Sequence, residues 1–105
     1  MIKVFISQPM REKTDDQIMK EREQAINICR NIFQNEIIEI LDSYFEEFAD
    51  SSNKNPGVYY LGKSISKLSE ADVAYFCPGW KNARGCIIEH EVAKQYEIRI
   101  IEATE

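Results

Sequence analysis

At 105 residues the chain is long enough for one hydrophobic core and too short for a separate cofactor domain. Its net charge of −5, with 13 Lys and Arg scattered along the sequence, excludes duplex nucleic acid and an anionic membrane as the main partner, because both reward a dense basic face. A small anionic ligand held by one or two local cations stays compatible with that balance.

No apolar run approaches the roughly 20 residues that a membrane span needs, and the amino terminus enters a β-rich run with no signal-peptide pattern. A soluble, cytoplasmic protein is expected. Cys29, Cys77 and Cys86 show no C-x-x-C spacing, so reduced thiols are expected and neither a disulfide framework nor a zinc site.

Residues 2–6 (IKVFI) predict a first, central strand. Ser7, Gln8, Pro9, Met10 and Arg11 form a loop, and Thr14 with Gln17 gives a capping-box signature. Ile18, Ala25, Ile26, Cys29, Ile32 and Phe33 then recur at helical spacing, to about residue 34. Arg22 projects onto that apolar face, either extending its head to water or pairing with a buried acid. Residues 36–41 (EIIEIL) predict a second strand. The acidic, aromatic segment DSYFEEFAD is expected to cross the end of the sheet as loop or irregular helix, followed by a surface turn region at SSNKNPG.

Val58, Leu61, Ile65 and Leu68 set out a helix over about residues 56–69. Residues 72–77 (DVAYFC) read as a buried strand, residues 78–84 as a turn-rich loop, and a helix runs from near Gly85 to about Tyr96. Residues 98–101 (IRII) make a fourth strand. Strands alternating with helices predict an α/β chain, a small Rossmann-like or flavodoxin-like three-layer sandwich on a four-stranded parallel sheet of order 2-1-3-4. The first and third strands then meet where the order reverses, the place where open α/β sheets bind ligands, and the loops SQPMR and PGWKNAR converge there.

Glu89 is the informative residue. At about 100° per residue, Gly85, Ile88, Glu89, Val92, Ala93 and Tyr96 share one side of the last helix, while Glu91, Lys94, Gln95 and Glu97 fall largely elsewhere. A carboxylate in an apolar stripe is an amphipathic edge residue, the partner of a buried arginine, or a group with a task. Neither loop carries a recognised phosphate-binding glycine motif. Ser7, Gln8 and Arg11 beside the first helix, and Arg84 beside Gly85, are nevertheless suited to a phosphate, and exposure to solvent is the plain alternative for each arginine.

Trp80, next to Gly79, either stacks on a nucleobase or closes a core edge, and Tyr59 and Tyr60 admit the same two readings. Cys86 and His90 are four apart on one helix, which admits a Cys–His nucleophile pair with no third group to orient it. Adding Cys77 gives three candidate metal ligands at a spacing that matches no standard zinc pattern. No metal and no cofactor are expected.

ISQPMR after the first strand, ADVAYF in the third and GWKNARGCIIEHEVA in the last loop and helix resemble the nucleoside 2-deoxyribosyltransferase superfamily. That superfamily includes the 2′-deoxynucleoside 5′-monophosphate N-glycosidases, and the chain is most similar to a short branch of it found in bacteria and phages. The resemblance implies a glutamate nucleophile at Glu89, which displaces the base from the anomeric carbon to form a glycosyl ester that water or a second base resolves.

It further implies a monophosphate contact at Arg11, a small-molecule nucleoside or nucleotide as partner, and a homodimer, since family sites are completed across subunits. Where family enzymes often carry a tyrosine, an aspartate and a serine, this chain has Phe5, Ser64 and Ala83, and the glycine two after the glutamate is Glu91. The alternative function is a non-catalytic protein that senses or sequesters a nucleotide in the same pocket; an interaction scaffold is a third.

Overall fold

The computed structural model describes residues 1–41 and 49–104. Among them, strands and helices alternate as β1 (Ile2–Ser7), α1 (Asp15–Ile32), β2 (Ile38–Leu41), α2 (Pro56–Leu68), β3 (Val73–Phe76), α3 (Arg84–Gln95) and β4 (Arg99–Glu102), with one 3-10 turn at Trp80–Asn82. Every strand pair is parallel and the order is β2-β1-β3-β4, as the alternation predicts. Most of the segment DSYFEEFAD, residues 42–48, lies outside the described residues.

Alternation along the two central strands divides the core. Val4 and Ile6 of β1 with Tyr75 and Cys77 at β3 pack against Ala25 and Cys29 of α1. Phe5, Ala74 and Phe76 point the other way, onto Leu68 at the end of α2, Cys86 and Ala93 of α3, and Trp80. Each fully buried side chain of this size contributes about 1.5–3 kcal/mol of transfer free energy. The outer strands are short and carry charge at Glu39, Arg99 and Glu102, which discourages edge-to-edge pairing.

Local chemistry sets the boundaries. Thr14 Oγ1 accepts from the Gln17 N–H while Gln17 Oε1 accepts from the Thr14 N–H, so the capping box is formed at the start of α1. Asn55 caps α2 by accepting from the Val58 N–H, with Pro56 in the first turn. Asp72 precedes β3 instead of opening it. Its carboxylate accepts from the Lys3 N–H and its own N–H donates to the Lys3 carbonyl, which pins the start of β3 to β1.

The inward face of α3 differs from the one expected. Cys86, Glu89 and Ala93 are buried and His90 is half-buried, whereas Ile88 and Tyr96 are exposed. The sheet therefore meets a face rotated away from the Ile88–Tyr96 side, which a helix with apolar residues on two sides permits. Ile32 of α1 is likewise exposed, and Arg22 is half-buried.

The end of α3 carries local strain. The Ile98 N–H bonds to the Ala93 carbonyl and the Glu97 N–H to the Lys94 carbonyl, a Schellman ending with Glu97 at φ 58°, where glycine is favoured. Replacing Glu97 by Gly is expected to stabilise the protein by about 1 kcal/mol through relief of the left-handed conformation. Denaturant unfolding would show a higher midpoint at unchanged slope; a lower midpoint would mean that Glu97 makes a compensating contact.

Candidate functional site

The last rung between the central strands is the bond from the Cys77 N–H to the Ser7 carbonyl. Beyond it the chain leaves β1 toward α1 and leaves β3 toward α3, and a cleft of about 930 Å3 opens between the diverging segments. Its walls are the loop from Gln8 to Lys13, the loop from Pro78 into the start of α3, and one face of α2. The switch point anticipated for this topology is thus a real cavity.

Glu89 lines that cavity at only 6% exposure. The Ser7 hydroxyl, at the end of β1, donates to its Oε1 at 2.6 Å. The hydroxyl of Ser64 from α2 supplies a second hydrogen bond. Burial pushes the Glu89 carboxyl above its ordinary range, and the Ser7 and Ser64 hydroxyls oppose that shift without cancelling it. Both partners are neutral, so the anionic form is hydrogen-bonded but its charge meets no opposite charge among the described residues.

The rim carries both signs of charge, with Glu12 among its residues. Arg11 and Arg84 line it from exposed positions, and Lys13 lines it while paired to Glu21 at 2.8 Å. Ala83 caps α3 without a side-chain hydrogen bond, so the free N–H groups of the first turn also border the cavity. The Gln8 amide donates from Nε2 to the Ile18 carbonyl at 2.6 Å, clipping the first loop to α1.

Of the residues singled out from the sequence, Glu89, Gln8, Met10, Arg11, Ser64, Gly79, Arg84 and Gly85 line this cleft together. Two do not. Ser7 is buried beneath the floor, where its hydroxyl is committed to Glu89 and does not meet a phosphate. Trp80 is turned into the core, stacked on His90 at 4.1 Å and tilted against Phe76, so it closes a core edge and offers no face to a base.

Tyr60 lines the cleft, whereas Tyr59 lies beneath the Lys63 ammonium. His90 pairs with Glu102 at 2.7 Å, pointing away from the cleft. Burial pushes the Cys86 thiol up to about 11, the reverse of what a Cys–His nucleophile requires. Among the described residues no three His, Cys, Asp or Glu side chains are grouped to hold a metal ion.

Sequence reasoning missed the bond from Ser64 to Glu89 and the place of Lys13 on the rim. The signal for Ser64 was present in the spacing: Gly57, Tyr60, Leu61 and Ser64 fall on one helical face, and all four line the cleft.

A carboxyl whose native titration is raised by burial makes the folded state hold its proton longer than the unfolded chain does. Stability is then greatest below the ordinary value of 4.5 and falls as pH rises through the raised native value. Glu89→Gln is therefore expected to unfold at a higher temperature than the parent at pH 7.5, with the difference closing near pH 4. Equal melting temperatures at both pH values would mean that water reaches the carboxylate.

Compared with protein-family models, with curated proteins and with solved structures, the chain finds no match. What the cleft does is inferred from its geometry.

Proposed function

We propose that this chain is a nucleoside or nucleotide N-glycosidase or 2-deoxyribosyltransferase in which Glu89 attacks the anomeric carbon of the sugar. The observation that carries the reading is the Glu89 carboxylate, buried on the floor of a cleft with two hydroxyls and, among the described residues, no cation as partners. Glycosyl transfer passes through an oxocarbenium-like transition state, with positive charge on the sugar. A buried anion without a counter-charge is complementary to that state and much less so to a neutral sugar, which is the condition for lowering a barrier.

In the first step a Glu89 oxygen bonds to the anomeric carbon while the C–N bond breaks and its electron pair leaves with the base. In the second, water or another base displaces the glutamate, and the carboxylate returns with net retention at the sugar. Ser7 and Ser64, from two different elements, hold the carboxylate in one orientation throughout. The rim supplies the other end of the ligand site: Arg11, Arg84 and the uncapped start of α3 suit a phosphate, which favours a 5′-monophosphate over a free nucleoside. This assignment agrees with the resemblance to the nucleoside 2-deoxyribosyltransferase superfamily, and the homodimer that the resemblance implies belongs to the same proposal.

A second reading is favoured by Phe5 and Ser64. Phe5 is packed into the core and has no hydroxyl to offer, and Ser64 spends its proton on Glu89 where an aspartate could exchange one. On that reading the cleft binds a nucleotide without turning it over. Calorimetry showing saturable binding of deoxynucleoside monophosphates with no product would select it.

Incubation with a panel of deoxynucleosides and their 5′-monophosphates is expected to release free base, and Glu89→Ala to release none. Quenched reactions should show a deoxyribosyl adduct by mass on the peptide containing Glu89. Arg84→Ala is expected to raise KM for monophosphates by roughly 10-fold to 100-fold, the loss of one charge-assisted hydrogen bond, and to leave free nucleosides unchanged. Base release that persists in Glu89→Ala would remove the proposal.

A further inference from the structure

Breaking the C–N bond leaves an electron pair on the departing base, and a natural base departs slowly unless a donor meets it. Most groups around the cleft have their protons committed. The Ser7 and Ser64 hydroxyls both point at Glu89, and Lys13 is held by Glu21. Arginine does not give up a proton, and Arg11 and Arg84 suit an anion.

Tyr60 is different. Its oxygen accepts a hydrogen bond from the Ala49 N–H at 3.0 Å, so the phenolic proton is left to be donated elsewhere, and no acceptor for it is found among the described residues. Tyr60 lies four residues before Ser64 on the α2 face that lines the cleft. Residues so spaced have Cβ atoms about 5–6 Å apart on one face. Because α2 leads into the start of β3, its first turns lie toward the end of the sheet where the cleft opens. Tyr60 therefore stands one turn above the serine that holds the nucleophile, on the mouth side.

Resting on the glycosidase reading above, we infer that Tyr60 is a further catalytic residue, the hydroxyl that donates to the departing base. As Glu89 bonds to the anomeric carbon and the C–N pair moves onto the base, the Tyr60 proton passes to an acceptor atom of the base. The Ala49 N–H faces the oxygen on which negative charge then develops. Water returns the proton to Tyr60. This role fills the place that Phe5 and Ser64 leave empty, from a different position in the chain.

Tyr60→Phe removes only the hydroxyl. The test compares this variant with the parent on a deoxynucleoside 5′-monophosphate and on 4-nitrophenyl 2-deoxyriboside 5-phosphate, whose nitrophenolate departs without a proton. The expected result is a fall in kcat/KM of roughly 100-fold for the natural base and no change for nitrophenol. Equal loss on both substrates would mean that Tyr60 merely supports the fold, and no loss on either would likewise overturn its role. A parent protein that releases only nitrophenol leaves Glu89 as nucleophile and removes Tyr60 as donor. A parent that releases neither removes both.

Discussion

The Glu89 carboxylate, taken out of water and met among the described residues by hydroxyls alone, is the constraint to which the site answers. Desolvating a carboxylate costs several kcal/mol, and two neutral hydrogen bonds recover only part of that. The fold tolerates the cost because the groups involved sit on its firmest parts: Ser7 ends a central strand, Ser64 belongs to the helix that buries Leu68, and Glu89 shares a face with Cys86 and Ala93. Three elements far apart in sequence must pack correctly before the carboxylate acquires its partners.

The two faces of the sheet carry different burdens. On the α1 side, Val4, Ile6, Tyr75 and Cys77 meet Ala25 and Cys29 in a conventional apolar layer. On the other side the layer of Phe5, Ala74 and Phe76 is continuous with α2 and α3, and the cleft opens along its upper edge. Charge is divided in the same spirit. Arg11 and Arg84 stand exposed at the opening of the cleft, while Lys13 is paired with Glu21 and Glu12 lines the same wall. Beneath that rim lies the buried Glu89 carboxyl.

Much of this was legible in the sequence, for reasons that differ by residue. The parallel sheet followed from alternation, since parallel strands need crossovers and helices supply them. The capping box at Thr14 and Gln17 was readable because its partners are three residues apart. Glu89 was readable because one charge in an apolar repeat is conspicuous. The exposure of Ile88 and Tyr96 was not, since a 12-residue helix with apolar residues on two sides admits more than one facing direction. Trp80 was ambiguous for the same reason: a loop aromatic turns to whichever surface lies nearest, and here that is His90 and Phe76.

By itself the sequence determined the parallel α/β order, the helix starts and the choice of Glu89, because each depends on periodicity or on partners within one turn. Tertiary structure alone decided that Ser7 lies under the floor instead of on the wall, that Ser64 meets Glu89, and that Tyr60 faces the cleft while Tyr59 does not. Those facts depend on the angle at which α2 and α3 cross the sheet, a quantity set by side-chain packing across the core and by no local pattern.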